Sequence, residues 1–549
     1  MKVNPLLSFI PSTRSGMRAI LALAALLGLA IAHPPPPDGL EGGKKVFGRA
    51  TTTTTRLITT ITRATTTRRL TTSTKASTTT TRASSTTLLS STLVTTTRIV
   101  TFSSSTASLA APTLSSSSAT TVPTSQTTTV PTSQTTLAPT TLLTTVATTT
   151  LITSTACASV YTGAIHITGT GTLPKPSSFI KRTTLNQGFT VGPNGVPFRV
   201  VGPNIYWLCN DENLPGEPKA FYTDKTRIRE ALAQAVAMGA NTVRAISCGT
   251  SVGTPYSIQP TLNTFAAQWD TMDYVIYAAG QYGLRLILPL TDNYDYYHGG
   301  KYTFLRWRGL STANGGALFF TDPTVIADFQ RYIRTILTHV NVSYLAATGK
   351  PYHAEQSIMA WETGNELGGY IGAEGYPPQS WTTLITQTIR AVDQAHIILD
   401  GSNGFYNYTN KATSPSLNIT AIGAMSDHGY PRNLGLLDIQ IPLATAAKKG
   451  FLIGEYDWTD KYGGVSLPSY LAAIEKTTYI GDLVWGVQGH DARCCSYLAH
   501  EDGYSIYYPN GNSAAEQVNI LALVQHFYRM TKRAVPSVLP SVLCPQPVF

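Results

Sequence analysis

From about Lys181 onward, short apolar runs alternate with stretches of helical periodicity, and this alternation restricts the fold more than any other feature of the chain. Phe198–Trp207 reads as a first strand. Asp224 then caps a helix running to Met238, with Gly239 as its stop. Thr242–Ser247 is a second strand, followed by a helix over Phe265–Tyr282; Leu284–Leu290 is a third, followed by a helix from Asp322 to Val340. Ser357–Ala360 leads a fourth strand, with a helix over Ser380–Gln394. His396–Asp400, Ile422–Asp427, Gly450–Gly454 and Asp482–Gly486 supply strands five to eight, and helices span Leu436–Lys449, Pro468–Thr477 and Ser513–Met530. Such a pattern over ~350 residues predicts an α/β fold, a (β/α)8 TIM barrel with enlarged loops. A doubly wound open sheet is the alternative, but no glycine-rich nucleotide loop follows the first strand.

The preceding third of the 549-residue chain has a different character. Met1–Ala32 carries Lys2, Arg14 and Arg18 ahead of an apolar run that closes on Ala30-Ile31-Ala32, the pattern of a secretory signal peptide cleaved near His33. A membrane anchor is the rival reading, but the run is short against the ~20 apolar residues that span a bilayer. Residues 33–180 are dominated by Thr and Ser, with the unit Val-Pro-Thr-Ser-Gln-Thr-Thr-Thr at Val122 recurring from Val130. That composition buries too little apolar surface to offset ordering entropy, and in a secreted protein it reads as a disordered, O-glycosylated stalk. The expected domains are therefore 1–32, 33–180 and a catalytic domain over 181–549, with an extracellular location. Whether the stalk tethers the chain to a cell wall is left open.

Charge follows the same division. Of the 40 Lys and Arg, 14 fall in residues 1–180, where Asp38 and Glu41 are the only acids; 26 basic and 28 acidic residues remain beyond. The domain is near neutral, which gives no electrostatic reason to expect a nucleic-acid partner. Six cysteines suit an oxidising compartment, and no CxxC or Cys/His spacing suggests zinc. In a barrel Cys209 and Cys248 would follow neighbouring strands and could pair, while Cys544 is a candidate partner for Cys494 or Cys495. Sequons at Asn341, Asn407 and Asn418 agree with secretion.

In a barrel, chemistry sits where strands end at their carboxyl side. There the sequence collects Asn204 and Tyr206, Arg244, Asp292 and Asn293, Asn365 and Glu366, His428 and Tyr430, Glu455, and Trp485. Singly, Arg244 would more often be a salt-bridge residue, Trp485 core packing and His428 a structural histidine. Jointly, their placement at strand ends is not what a packed core produces. Glu366 and Glu455 carry the chemistry: two carboxylates at strand ends are what glycosidic bond cleavage needs, one to protonate the leaving oxygen and one to attack or activate water.

Several segments carry a more specific likeness: Val201–Leu208, Asn241–Arg244, Ile358–Glu366, Ser426–Pro431, Phe451–Tyr456 and Gly481–Trp485. Over about residues 185–530 the chain resembles glycoside hydrolase family 5, and within it the secreted fungal endo-β-1,4-mannanases. The resemblance implies a retaining mechanism with Glu366 as acid/base and Glu455 as nucleophile, and no metal or other cofactor. It also implies that Asn365 holds the sugar 2-hydroxyl, Arg244 orients the nucleophile, His428 and Tyr430 line the cleaved site, and Trp485 floors the reacting sugar. Trp207, in the first matching segment, is expected among the substrate contacts. The chain departs from the family pattern at Leu367-Gly368-Gly369, after the Asn-Glu pair, and in the aromatic insert Tyr294–Gly316.

The expected substrate is a β-1,4-mannan polysaccharide, hydrolysed by a monomer. Rivals are another β-glycan or exo-acting hydrolase or transglycosylase of the same fold, a non-catalytic carbohydrate-binding wall protein, and a stalk-borne adhesin. Retention predicts carboxyl groups ~5–5.5 Å apart. Glu455 beside Arg244 is expected to have a lowered pKa, and Glu366 a raised one. Glu362 is expected deeper in the barrel, as a buried hydrogen-bonding residue.

Overall fold

The computed structural model describes residues 173–183, 188–214, 220–245, 249–250, 255–266, 269–344, 349–368, 375–492 and 495–548. The expected signal peptide and all but the last residues of the expected stalk lie outside these.

Eight parallel strands form one sheet: β1 (Val201–Pro203), β2 (Thr242–Arg244), β3 (Arg285–Pro289), β4 (Ile358–Glu362), β5 (Ile397–Leu399), β6 (Ala424–Gly429), β7 (Gly450–Tyr456) and β8 (Gly481–Val484). Their spatial order is 1-8-7-6-5-4-3-2. A parallel bridge between Asn204 and Arg244 joins the two ends, with Ile205 N–H donating to the Arg244 carbonyl at 2.9 Å and Asn241 N–H to that of Val201 at 3.0 Å. The sheet is therefore a closed barrel, and the open-sheet alternative falls. At this seam β1 and β2 approach so closely that a Cβ on Gly202 would lie 1.8 Å from the Thr242 carbonyl oxygen. Only glycine fits there.

Each strand is buried on both sides, so it reads as continuous apolar sequence, yet the period of two still sorts the faces. Ile287, Ala360, Leu399, Ala424, Leu452 and Leu483 fill the interior. Their neighbours Leu286, Trp361, Ile398, Met425, Ile453 and Val484 pack outward in the larger core. Beneath the barrel a three-stranded antiparallel sheet (Ile180–Arg182, Phe189–Val191, Val196–Phe198) inserts Ile180 and Phe189 into the interior cluster and closes its floor.

The longer helices among the described residues are α1 (Lys225–Ala237), α2 (Asp270–Gln281), α3 (Pro323–Thr338), α4 (Gln379–Arg390), α5 (Leu434–Ala446), α6 (Leu467–Lys476) and α7 (Ala514–Met530), and a 3-10 turn at Pro415–Asn418 serves the fifth crossover. Several start where the sequence says. Asp224 and Asp322 accept backbone N–H groups of α1 and α3, and Ser513 and Glu516 form a reciprocal capping box on α7. The helix expected from Phe265 begins only at Asp270. The strand expected over Phe198–Trp207 ends at Pro203 and turns into a 3-10 helix at Tyr206–Leu208.

Cys495 and Cys544 form a disulfide across 49 residues, as the sequence allowed. Cys209 is also disulfide-bonded; Cys248 lies outside the described residues. Of the sequons, Asn341 is fully buried and donates its amide to the Asp273 carbonyl at 2.8 Å, which leaves no room for a glycan. Among the described residues, no helix is long and apolar enough to cross a membrane.

Candidate active site

Arg244, at the end of β2, is 2 % exposed and organises the floor of the site. Its Nε and Nη2 grip both oxygens of Glu362 (2.7 and 3.0 Å), while Nη1 donates to Glu455 Oε1 (2.7 Å) and Asn204 Oδ1 (3.0 Å). Nη2 also donates to Asn365 Oδ1 at 2.7 Å. A planar guanidinium with five fixed donors suits this fan of acceptors, whereas a lysine ammonium could satisfy only part of it. Glu362 is thus the buried hydrogen-bonding residue expected, two positions beyond interior-facing Ala360.

Glu455 reaches the same face through an irregularity. The register of β6 against β7 shifts between Asp427 and His428, so that Asp427 pairs with Ile453 but His428 with Glu455. Gly454 is the extra residue. A Cβ there would stand 2.3 Å from Ser426 Oγ and 2.9 Å from His428 Nε2. A bulge at a glycine therefore turns Glu455 inward and makes room for the imidazole beside it. Tyr430 donates its hydroxyl to Glu455 Oε2 at 3.2 Å.

Glu366, four residues past β4, has a φ of 52°, a left-handed conformation that costs a non-glycine residue ~1–3 kcal/mol. Bonds on either side hold it there: Asn365 N–H to the Thr291 carbonyl (2.8 Å) and Leu367 N–H to that of Gly401 (2.7 Å). The Glu366 carboxylate accepts from His428 Nδ1 at 2.5 Å and is hydrogen-bonded by Tyr294 from the aromatic insert. One oxygen of Glu366, one of Glu455 and a ring nitrogen of His428 all lie within 4.8 Å of one another.

Burial opposes the charge of the His428 ring, yet Glu455 and Glu366 outweigh burial and raise its pKa to about 9, so Nδ1 carries a proton.

The two carboxylates are shifted in the directions opposite to the sequence expectation. Burial raises Glu366 less than His428 lowers it, by charge and hydrogen bond, and the Tyr294 hydroxyl adds to the lowering; its pKa ends below the ordinary value. Glu455 ends above it, because burial and the charge of Glu366 outweigh His428 and Arg244. The physical reason is that Glu366 has His428 as a direct charged partner, whereas Glu455 is buried beside the negative charge of Glu366. Arg244 lowers Glu455 but is shared with Glu362, which takes two of its hydrogen bonds, and sequence could not reveal that sharing.

Of the remaining expected residues, Asn365 is 8 % exposed and held between Arg244 and Asp292 Oδ2 (3.3 Å). Trp485 lies half-buried at the end of β8 with its ring stacked on Tyr206 at 5.4 Å. Trp207 is the exception. It is fully buried, donates Nε1 to the Val487 carbonyl (3.0 Å) and carries the Arg227 guanidinium 3.7 Å over its ring. The 3-10 turn after β1 sends it into the core and leaves Tyr206 to face the site, so Trp207 is corrected from substrate contact to core residue.

Among the neighbours of the site for which the sequence predicts no role are Tyr206, Tyr294, His500 and Asp502. Tyr294 was visible only as part of an aromatic-rich insert, and His500 and Asp502 stand in a loop with no periodic signal. Within the insert, Tyr297 packs against Tyr206 and His298, and His298 lies 3.0 Å from Asp292, so this part closes over the barrel; Tyr296 remains 41 % exposed.

A closed parallel barrel with facing carboxylates at its carboxyl-end rim defines an architecture found among polysaccharide-cleaving proteins. Residues 177–451 match the family described as GH family 5 beta-mannosidase-like, and the chain belongs to that family. It is 27 % identical over 376 residues to mannan endo-1,4-beta-mannosidase 1 of Oryza sativa subsp. japonica, covering 59 % of this chain and 81 % of that one. Mannan endo-1,4-beta-mannosidase 2 of the same plant is 30 % identical over 231 residues, 41 % of this chain and 48 % of its own. The chain thus spans about half the length of some curated relatives it matches. Among solved structures, the endo-1,4-beta-mannanase of Rhizomucor miehei has the same fold, with a TM-score of 0.52 at 20 % identity, covering 65 % of this chain and all of that one.

Proposed function

We propose that the chain is a secreted retaining glycoside hydrolase of β-1,4-linked mannan, with Glu455 as nucleophile and Glu366 as acid/base. The observation that carries this is the separation of the pair. Carboxylate oxygens within 4.8 Å match the ~5–5.5 Å of retaining sites and leave no space for the intervening water that inversion requires at ~6.5–9.5 Å.

In the first step a Glu455 oxygen attacks the anomeric carbon. The bond from that carbon to the glycosidic oxygen breaks, and the departing oxygen takes the Glu366 proton. In the second, Glu366 removes a proton from water, whose oxygen displaces Glu455 and frees a sugar of unchanged configuration. Arg244 and Tyr430 hold Glu455 through one hydrogen bond each. The proton Glu366 needs stands 2.5 Å away on His428 Nδ1. When a sugar displaces water over the pair, the low dielectric disfavours the ion pair relative to a neutral acid and neutral imidazole, which moves the proton onto Glu366. Asn365, held between Arg244 and Asp292, supplies the contact to the sugar 2-hydroxyl in this reading.

The mannan assignment is supported by the family and by the names of the relatives, and secretion by the pattern of residues 1–32. Product analysis on mannan, cellulose and mixed-linkage glucan, with the anomer of the first product followed by NMR, tests both parts. Release of the β-anomer from mannan is expected. An initial α-anomer overturns the mechanism, and turnover confined to a glucan overturns the substrate.

A further inference from the structure

Trp485 is half-buried, with one face of its indole stacked on Tyr206 at an interplanar angle of 15°. Stacking alone leaves an indole free to slide and tilt in its plane. Here the edge is fixed as well. Nε1 donates to Asp502 Oδ2 at 2.9 Å. The other oxygen of Asp502 accepts from the Tyr504 backbone (2.8 Å) and from Ser505 Oγ (3.0 Å), so the carboxylate cannot turn.

The contacts continue around a circuit. Asp502 Oδ2 lies 3.5 Å from His500 Nε2, and His500 Nδ1 lies 3.1 Å from the Tyr206 hydroxyl, whose ring returns to Trp485. Burial would raise Asp502, but the hydrogen bond and charge of His500 hold it below the ordinary carboxylate range, so the acceptor of the indole N–H is an ionised carboxylate. Hydrogen bonds to charged acceptors are shorter and stronger than neutral ones. Two side chains of the loop after β8 thus join Tyr206 to lock the Trp485 indole.

We infer that Asp502 and His500 are positioning residues for the proposed hydrolase: through Trp485 Nε1 and the Tyr206 hydroxyl they fix the plane of the indole on which a sugar ring stacks. The inference rests on the proposed function. A sugar presents its C–H face to a platform, and a platform that must be ordered at each binding event loses part of the gain.

The test compares Asp502→Ala and Asp502→Asn with wild type on manno-oligosaccharides, with thermal midpoints measured in parallel. Loss of a hydrogen bond to a charged group sets the expected scale: D502A lowers kcat/KM about tenfold, chiefly through a higher KM. D502N, which keeps an oxygen acceptor for Nε1, restores most of it, a rescue that general loosening of the loop would not give. His500→Phe, which retains the ring against Tyr206 but not its hydrogen bonds, gives a smaller loss of about threefold and serves if D502A does not fold. Unchanged kcat/KM in D502A, or D502N no better than D502A, overturns the inference. If wild type hydrolyses no β-glycan, the hydrolase reading fails separately. The platform is then read by equilibrium binding of the oligosaccharide through indole fluorescence, where equal affinity of wild type and D502A overturns it.

Discussion

Substituting Glu362 by Gln tests how Arg244 is shared between the two carboxylates it binds in the active site. Glu362 and Arg244 are 1 % and 2 % exposed, and the carboxylate accepts two guanidinium hydrogen bonds at 2.7 and 3.0 Å. Gln keeps the shape but turns one acceptor into an NH2 that faces an N–H. Breaking one partner of a buried pair costs about 3–5 kcal/mol. At roughly 2–4 °C per kcal/mol for domains of moderate size, the thermal midpoint should fall by on the order of 10 °C. The electrostatic consequence is more specific. With Glu362 neutral, the charge of Arg244 is left to Glu455, 2.7 Å away, so the raised pKa of Glu455 should come down. A nucleophile must be ionised, hence activity should persist to lower pH than in wild type. The assay is kcat/KM against pH on the acid side, at a temperature well below both midpoints. An acid limb that stays in place or moves upward would refute the claim that Glu362 screens Arg244 from Glu455.

Glu366→Gln should lower turnover of mannan by roughly 10²–10⁴-fold while sparing activated aryl glycosides, whose leaving groups need no proton; equal losses on both would remove Glu366 as the acid. Glu455→Gln should abolish turnover of both substrates with the fold intact, and residual activity near wild type would reassign the nucleophile. Trp207→Phe should leave KM unchanged and lower the midpoint, since it loses the Val487 bond, worth about 0.5–1.5 kcal/mol; a changed KM with an unchanged midpoint would return Trp207 to the cleft. His526 stands between Glu475 (2.8 Å) and Asp482 (3.1 Å); burial opposes its charge, but the two carboxylates raise its pKa. Its contribution to stability is therefore full below the unfolded value of about 6.5 and lost as pH rises through the higher folded value. Thermal midpoints measured across that window should fall in wild type and stay flatter in His526→Gln; parallel curves would exclude His526.

The barrel was legible because strands buried on both faces and helices with polar caps leave different traces, and Asp224, Asp322 and Ser513 begin helices where their side chains predict. Glu366 and Glu455 stand out in sequence because each comes close behind an apolar run, Glu455 near the end of β7 and Glu366 four residues past β4. Trp207 misled because the expected strand runs four residues beyond Pro203, past the point where the chain turns, and a shift of one residue exchanges core for cleft. The directions of the two carboxylate shifts were hidden because they depend on His428 and on how Arg244 is shared. Sequence placed Arg244 near Glu455, but only the folded register of β2, β4 and β7 shows that Glu362 takes the larger share of its hydrogen bonds. Asp502 and His500 left no trace, since a loop residue that acts through one side-chain bond obeys no period.

The narrow stitch between β1 and β2 bears on how this protein loses function under stress. The two strands meet through the Asn204–Arg244 bridge and the Asn241–Val201 hydrogen bond, and the side chain of Arg244 anchors Glu455. Any fluctuation that parts the wall at that point also pulls the guanidinium from its carboxylate, so inactivation should precede global melting. The deuterium uptake of the Ile205 amide, which closes the stitch, then becomes a direct gauge of the share of molecules able to turn over.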